Sequence, residues 1–306
     1  DVCSSDLNDG FARHFIKWLI PHAIHGDNNF EDIMNHPINF QGLDHPDNSV
    51  RCRLNSNVIN VAHTNSGDNK SSVEVTYYKK GKLFKVKSKA VVMATGGWIN
   101  KYIVKDLPKL HYDAYNRFNH APMLVANVAL TNWRFLHRLG ITACQWTGGF
   151  GFHTNIRKPM HIGNDKPSLD PNNPIVLTFY VSFEKANQGY TAEQQSRLGQ
   201  YEMLAKPYIE YEREIRQQMV KMFANSGFDA RNDIAGIILN RWGHAYVTPT
   251  PGFFYNTEGG PGYANIIKSI PFGRISFGHS ELRGYQHWGP AAAEGSRAVD
   301  QISHYL

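Results

Sequence analysis

The stretch Lys89-Ala90-Val91-Val92-Met93-Ala94-Thr95-Gly96-Gly97 contains a continuous apolar run that ends in a pair of glycines. A run without polar alternation is typical of a strand buried on both faces, as in a parallel sheet. Parallel sheets occur almost only in proteins that cover both faces with helices. This stretch therefore predicts an α/β fold, with a crevice where the strand ends and the chain turns away.

A second informative stretch lies near the other end of the chain and reads Phe272-Gly273-Arg274-Ile275-Ser276-Phe277-Gly278-His279-Ser280. Residues 274–277 have the composition of a short strand. The sequence then runs through Trp288-Gly289-Pro290 into an alanine-rich segment that predicts a helix over 290–302. The sequence therefore predicts a strand, a loop and a helix, in that order, near the end of the chain.

Between these stretches, and before the first, the sequence predicts further strands and one clear helix. The region 50–62 predicts a strand, followed by a turn at 65–69 and a hairpin through Lys80-Gly81. Apolar runs at 123–130, 175–183 and 234–239 predict more strands, and Pro207 opens an amphipathic helix that Gly227 ends.

Composition bounds the class of protein. The 306 residues are 42% hydrophobic, 12% aromatic and 19% charged, which provides a core and argues against a disordered chain. No apolar run reaches the 18 or so residues of a transmembrane helix. The net charge of +6 is small, and the lysines at 79–89 fit the solvated face of a hairpin better than a nucleic-acid surface. Three cysteines cannot form a disulfide framework.

The first seven residues, Asp-Val-Cys-Ser-Ser-Asp-Leu, look like the translation of a sequencing-adapter oligonucleotide, and no Met precedes them. We therefore treat 1–7 as an artefact and expect the chain to be a fragment whose natural start lies upstream. Cys52 and Cys144 are the cysteines that remain. The compartment of the parent protein stays open between the cytoplasm and the periplasm of a bacterial-type cell.

The two stretches together resemble the flavin-dependent amine oxidase and dehydrogenase superfamily, in which a β-meander leads into a strand ending Ala-Thr-Gly and a late Gly-Arg-Ile strand leads to a C-terminal helix. Within it, the sequence is most similar to the spermidine dehydrogenase family. The matching stretches are Phe40 to Asp44, Arg51 to Ser56, Asn127 to Arg134, which reads Asn-Val-Ala-Leu-Thr-Asn-Trp-Arg, and Asp233 to His244, which ends Asn-Arg-Trp-Gly-His.

This resemblance implies a Rossmann-like FAD-binding domain with a mixed α+β substrate domain. It assigns 8–49 to a helical part of a substrate or cap region and 50–120 to the meander and Ala-Thr-Gly strand of the FAD domain. It assigns 121–265 to the substrate domain and 266–306 to the final strand and helix of the FAD domain. The Gly-x-Gly-x-x-Gly phosphate loop is not in the sequence, so we expect this chain alone to bind FAD weakly and to be inactive.

The expected cofactor contacts lie at strand ends and at the start of the last helix. They are Val58, Thr95, Gly96, Gly97, Gly278, His279, Trp288, Gly289 and Pro290. Glycines let the backbone approach a cofactor, and a helix amino end favours the negative charge of a reduced flavin. Relatives often have an acidic residue where His279 stands, and Glu281 is the alternative source of that carboxylate. For Val58 and Trp288, an ordinary core position is an equal alternative.

Three residues are candidates for the catalytic site. Trp242, His244 and Tyr246 alternate along one strand, so they share a face. Aromatic rings attract a cation, and a histidine can accept its proton, so we interpret this face as the lining of an amine cavity; half-buried strand residues are the alternative. Many amine oxidases have a lysine near the flavin where this chain reads Ala121-Pro122-Met123, and its absence favours a dehydrogenase with another, unidentified electron acceptor.

The resemblance therefore implies FAD-dependent oxidation of spermidine or a related polyamine, with a small-molecule substrate and no nucleic-acid partner. Haem is known in the family, but no Cys-x-x-Cys-His motif is present, and the 15 scattered histidines show no metal-ligand spacing. Two alternatives stay open: an FAD oxidoreductase of the same fold that acts on another small molecule, and a non-catalytic flavoprotein-like binding module.

Overall fold

A computed structural model describes residues 5–64, 72–256, 259–270 and 272–306. The turn predicted at 65–69 and Cys3 lie outside the described residues. The chain divides into two compact units, of which the first contains 1–54, 124–181 and 206–240 and the second contains 55–123, 182–205 and 241–306. The segments expected to form the FAD domain, 50–120 and 266–306, lie in the second unit except for 50–54. The segment expected to form the substrate domain, 121–265, is divided between the two units.

The helices of the described residues are α1 (Ser5–Leu19), α2 (Phe30–Asn35), α3 (Gly97–Ile103), α4 (Lys109–Asn116), α5 (Arg134–Leu139), α6 (Ala192–Ala205), α7 (Tyr208–Phe223), α8 (Tyr263–Ser269) and α9 (Trp288–Ile302). The strands are β1 (Asn57–His63), β2 (Val73–Lys79), β3 (Lys82–Ser88), β4 (Val91–Met93), β5 (Asn119–Leu130), β6 (Ala143–Gln145), β7 (His153–Arg157), β8 (Ile175–Ser182), β9 (Ile234–Thr248) and β10 (Ile275–Phe277). The fold class is α/β, as the sequence predicts.

The second unit contains the meander and the parallel pair. Strands β1, β2 and β3 pair antiparallel in sequence order, and the β2–β3 hairpin turns at Lys80 and Gly81, whose φ angles of 48° and 80° are those of a type I′ turn. Strand β4 pairs parallel with β10, so that Val91 lies opposite Ile275 and Met93 opposite Phe277. The parallel strand predicted from the apolar run is therefore confirmed.

Helix α9 packs closely against the end of β10. Ser276 donates a hydrogen bond from Oγ to the carbonyl of Ala298 at 2.8 Å. A Cβ atom on Gly278 would lie 2.8 Å from the Cβ of Ala298 and 3.0 Å from the carbonyl oxygen of Glu294. Glycine is therefore required at 278 for the strand and the helix to approach this closely.

The first unit is built around a sheet and the amphipathic helix α7. The sheet order is β6-β7-β8-β5-β9, and its core is formed by apolar residues from the strands and from one stripe of α7. That stripe contains the buried residues Tyr211, Ile215, Met219 and Phe223, which recur every four residues as the sequence predicts.

Several boundaries differ from the sequence-based expectation. Strand β9 continues to Thr248, past the predicted end at 239, and helix α9 begins at Trp288 rather than at 290. Strand β1 begins at Asn57 rather than at 50, since Asn55 adopts a left-handed backbone conformation with φ of 53° that interrupts an extended segment. Strand β5 begins at Asn119 rather than at 123, since alternation between buried and half-buried side chains already starts there. Helix α1 begins at Ser5 and therefore includes part of the segment that we set aside as an artefact.

Candidate active site

The two sequence stretches that predict the fold meet at the carboxyl ends of β4 and β10. The backbone N–H of Gly278 donates to the carbonyl of Met93 at 2.9 Å, which continues the parallel pairing past the strands. After β10 the chain forms a short 3-10 helix, Ser280–Arg283, which carries Glu281. The N–H of Gly97, at the start of α3, donates to Oε1 of Glu281 at 2.5 Å. A carboxylate thus joins the loops that follow the two strands.

Glu281 also has a side-chain partner from a third element. Its Oε2 lies 2.8 Å from Nε2 of His120, near the start of β5, and both side chains are almost fully buried, at 1% and 3% exposure. A buried carboxylate is costly unless it is paired and hydrogen-bonded, and here each oxygen has a partner. This arrangement places a buried carboxylate–histidine pair beside the carboxyl ends of the two strands.

A second histidine lies beside the first and faces outward. The ring of His244, on β9, stacks on the indole of Trp98 with centroids 4.2 Å apart and an interplanar angle of 12°. The rings of His244 and His120 meet edge to face, with their centroids 5.5 Å apart. Partial burial is the main cause that lowers the pKa of His244, and the positive charges of His120 and Lys101 add to this while Glu281 opposes it. His244 is therefore neutral at pH 7 and can accept a proton.

The side chains of Asn100 and Tyr115 pack against the turn after β4 and fix its conformation. Asn100 accepts a hydrogen bond from the hydroxyl of Thr95, and its Nδ2 donates to the carbonyl of Thr95 at 3.0 Å and to the hydroxyl of Tyr115 at 3.3 Å. The ring of Tyr115 packs under Gly97, where an added Cβ would lie 2.3 Å from it. Burial raises the pKa of Tyr115 well above its usual value, so this hydroxyl stays protonated.

The amino end of α9 opens onto a cleft of about 460 Å³, lined by Arg283, Tyr285, Gly289, Pro290 and Ala293. The side chain of His287, which precedes the helix, makes no capping hydrogen bond, and a Cβ on Gly289 would meet nothing within 4 Å. Exposed helix N–H groups and a guanidinium suit a negatively charged planar group. The residues present therefore fit the anionic edge of a flavin ring, and the sequence has no phosphate loop for the diphosphate.

The structure brings together part of the site expected from the sequence. Thr95, Gly96, Gly97 and Gly278 lie at the two strand ends, and Trp288 and Pro290 are half-buried at the start of α9. His279 is half-buried and its Nδ1 accepts the N–H of Glu281 at 3.2 Å, so the buried carboxylate belongs to Glu281.

The other expected residues lie on more open surfaces. Val58 is 38% exposed and pairs with Tyr77 in the meander. Trp242 and Tyr246 flank His244 along β9 and are 58% and 45% exposed, so this face of the strand is open rather than enclosed. Their roles in binding stay predictions.

Sequence reasoning missed His120 and Trp98. His120 lies at a buried position of β5, where a histidine requires a polar partner. The sequence predicts this strand only from 123 on, so the burial of His120 was not visible in its local pattern. Trp98 lies on α3, which the sequence analysis did not predict, so nothing in its local pattern indicates the stack with His244. Within the described ranges no cluster of three or more metal-ligating side chains occurs.

No helix in the described part of the chain is both long enough and apolar enough to cross a bilayer. No protein-family model matches the chain, and neither does any curated protein.

Solved structures of amine oxidases do match the chain. The cyclohexylamine oxidase of Brevibacterium oxydans IH-35A is 16% identical, with a TM-score of 0.51 over 81% of this chain and 48% of that protein. A single-residue mutant of a putrescine oxidase is 15% identical, with a TM-score of 0.54 over 82% of this chain and 49% of that protein. The chain spans about half the length of these structures. It therefore has the fold of these amine oxidases over that half.

Proposed function

We propose that this chain is part of an FAD-dependent enzyme that oxidises amines. The observation that carries the proposal is the parallel pair β4–β10, which brings Gly97, after β4, into contact with Glu281 in the segment leading to α9, in a fold shared with cyclohexylamine and putrescine oxidases. Crevices at the carboxyl ends of parallel strands are where α/β folds bind their cofactors.

The residues at the start of α9 would hold the flavin ring. The helix amino end would stabilise negative charge on the ring, with Arg283 in the lining of the same cleft. Gly96 and Gly97, after β4, would let the backbone come close to the cofactor. The flavin supplies the acceptor for a hydride from the carbon next to the amine nitrogen. The 306-residue chain alone is expected to bind FAD weakly, because the phosphate-loop motif is not in its sequence.

Amine oxidation by hydride transfer requires the neutral amine, and we assign its deprotonation to His244. Its lowered pKa keeps the ring unprotonated at pH 7, so it can take a proton from a bound ammonium group. The indole of Trp98 covers one face of this ring, and Trp242 and Tyr246 extend the aromatic surface along β9. Aromatic faces attract the ammonium before it is deprotonated.

The finer assignment is a dehydrogenase that acts on spermidine or a related polyamine. Oxidation at a secondary amine gives an imine, which water hydrolyses to an aldehyde and a shorter amine. The support for a dehydrogenase rather than an oxidase is the sequence Ala121-Pro122-Met123 where many amine oxidases have a lysine. The support for a polyamine is the sequence resemblance, and the electron acceptor is not identified.

The test uses the gene with its upstream sequence restored. The purified flavoprotein is mixed without oxygen with spermidine, putrescine or cyclohexylamine while the 450 nm flavin band is recorded. Bleaching by an amine is expected, and His244→Gln should slow it about 100-fold at pH 7 because the proton acceptor is lost. Glu210→Gln, an exposed change on α7 in the first unit, is the matched control and should bleach at the wild-type rate.

Each other result contradicts a defined part of the proposal. A flavin that stays oxidised with every amine would show that the enzyme acts on another class of molecule. A protein that contains no flavin would instead indicate a binding module. Bleaching that is followed by rapid reoxidation in air would make the enzyme an oxidase.

A further inference from the structure

The β2–β3 hairpin of the second unit changes character along its length. Far from the turn its two faces differ: Val75 lies opposite Val86 and packs against the core of this unit, while Glu74 lies opposite Lys87 on the outer face. A hairpin with one face on a core normally keeps this alternation of apolar and polar side chains. Here the alternation stops before the turn is reached.

Beside the turn, both faces of the hairpin are apolar. Tyr78 lies opposite Leu83 on the outer face, and Tyr77 lies opposite Phe84 on the other, with the two rings stacked and their centroids 5.4 Å apart. Leu83 is 63% exposed, and Tyr78 and Phe84 are exposed as well. Clustered exposed apolar side chains mark sites of interaction with a protein or a membrane.

The turn between these apolar side chains is positively charged. Residues 79–82 read Lys-Lys-Gly-Lys, and no acidic residue occurs between 75 and 89. Lys79 lies directly opposite Lys82, an arrangement of like charges that destabilises a hairpin. Glu74, the one acidic residue of β2 and β3, is paired with Lys85 at 2.8 Å and not with the lysines of the turn. The charge at the turn therefore costs stability, and the fold does not explain it.

The combination of charge and apolar surface favours a lipid partner over a nucleic acid. Proteins that bind single strands use lysines for the phosphates and flat rings that stack on the bases. Here the ring of Phe84 is stacked on Tyr77 within the hairpin, and Leu83 has no ring. A flat partner surface would cover one face of the hairpin, whereas lipid headgroups surround an inserted turn on both faces.

We propose that the tip of this hairpin, residues 77–84, inserts into the surface of an anionic phospholipid bilayer. Tyr78, Leu83 and Phe84 then lie at the boundary of the acyl chains, and the ammonium groups of Lys80 and Lys82 reach the lipid phosphates from their flexible stems. Burial of apolar surface and attraction to anionic lipids both contribute to such binding. This surface is independent of the proposed oxidation of amines.

Vesicle flotation with the 306-residue chain tests the proposal. The vesicles contain either phosphatidylcholine alone or phosphatidylcholine with about 30% phosphatidylserine, whose anionic headgroups attract basic segments. We expect the chain to bind the phosphatidylserine vesicles at least about tenfold more tightly. This preference should shrink when the salt concentration is raised from about 0.1 M to about 0.5 M, because salt screens exposed charges.

A charge variant of the turn tests the role of the lysines. Lys80→Asn combined with Lys82→Gln keeps the turn, because residue 80 has a φ of 48° and Asn-Gly is the preferred pair for a type I′ turn. At about fivefold per lysine, this variant should bind phosphatidylserine vesicles about 25-fold more weakly. Lys158→Gln combined with Lys166→Gln removes two exposed charges from the first unit and should leave binding unchanged.

An apolar variant tests insertion. Leu83→Thr keeps a residue that favours strands and should weaken binding about tenfold, because less apolar surface is buried in the bilayer. Urea unfolding distinguishes weaker binding from a damaged hairpin. The variant with Lys82→Gln should be at least as stable as the wild type, because the repulsion between Lys79 and Lys82 is removed.

Three outcomes would overturn the proposal. The first is equal affinity for the two kinds of vesicle, and the second is an affinity that either the lysine variant or Leu83→Thr leaves unchanged. The third is tighter binding to a short duplex DNA, measured by fluorescence anisotropy and lost in the lysine variant, which would assign the turn to nucleic acid instead. These experiments need no flavin and no amine, so their result does not depend on the bleaching experiment.

Discussion

Two carboxylates of the second unit are equally buried and are held by different kinds of partner. Glu294 on α9 is fully buried and accepts hydrogen bonds from Nε of Arg283 at 2.5 Å and from Nε of Arg297 at 2.8 Å. Glu281 is 1% exposed and is held by one backbone N–H and by the imidazole of His120. A guanidinium is always charged, whereas an imidazole changes its charge near neutral pH.

The partners of Glu294 indicate a structural role for this carboxylate, and those of Glu281 connect it to the candidate site. The charges around Glu294 stay the same whatever binds nearby, so this network holds α9 to the preceding 3-10 helix. Glu281 instead contacts the turn at Gly97 directly and the ring of His244 through His120. It therefore connects three segments that carry residues of the candidate site.

The largest expected effect is the loss of stability when the buried charge of Glu294 is removed. Glu294→Gln keeps the shape of the side chain but leaves two guanidinium groups without a buried counter-charge. We expect a loss of about 3 kcal/mol in the free energy of unfolding, at the lower end for a broken buried pair because Arg283 is 46% exposed and water can screen it. Urea unfolding measures this loss. Glu210→Gln should change stability by less than about 0.5 kcal/mol, and equal losses in the two variants would contradict the comparison.

A steric change at Gly278, which packs against the same helix, tests whether packing rather than charge holds it. Gly278→Ala places a methyl group against Ala298 and the carbonyl of Glu294, and it should cost about 2 kcal/mol because a well-packed contact is overfilled. The matched control is Gly295→Ala on α9, where the added Cβ meets nothing within 4 Å. That variant should gain about 0.5 to 1 kcal/mol from helix propensity, so a loss in both would show that α9 tolerates no added side chain.

Removing the charge of Glu281 should have a smaller effect on the free energy of unfolding and should also change the pKa of His244. Glu281→Gln retains an acceptor for the Gly97 N–H, so we expect a loss of about 1 to 2 kcal/mol. It also removes the negative charge that raises the pKa of His244, so that pKa should fall further. NMR titration of the His244 ring measures the shift. Glu294→Gln provides the comparison, and a pKa that rises in Glu281→Gln would contradict the assignment.

The smallest effect is the pH dependence of stability. Burial lowers the pKa of both His111 and His244 below the ordinary value of 6.5, so the unfolded chain binds more protons than the folded one just below that pH. Stability should therefore rise with pH up to about 6.5 and then level off. His111→Asn should reduce the total rise in the free energy of unfolding over this pH range by less than about 1 kcal/mol. Denaturant midpoints between pH 5 and 8 measure it, and an unchanged slope would show that other groups cause it.

The elements that the sequence predicted well are those with a strong local pattern. The apolar run at 90–94, the Lys80-Gly81 turn and the stripe of α7 each follow from periodicity or turn chemistry, and all three are present in the structure. The short helix α3 and the early start of β5 were missed, because their formation depends on packing partners far away in the sequence rather than on their own residues.

The candidate site was predicted in part for the same reason. The glycines at 96, 97 and 278 mark strand ends and are visible in the sequence. The pairing of His120 with Glu281 joins residues 161 positions apart, and no local pattern encodes which buried histidine meets which carboxylate. The interpretation of β9 as an aromatic face included His244 but not its stacking partner Trp98, which comes from another element.

The parallel pairing of β4 with β10 also determines when the crevice forms during synthesis. Gly97 and Glu281 are separated by 184 positions, so β4 leaves the ribosome long before its partner strand exists. Contacts of such high sequence separation form late and slow the folding of a domain. Until β10 is made, β4 lacks the strand with which it pairs. A nascent chain released before residue 275 would lack both the β4–β10 pairing and the contact between Gly97 and Glu281.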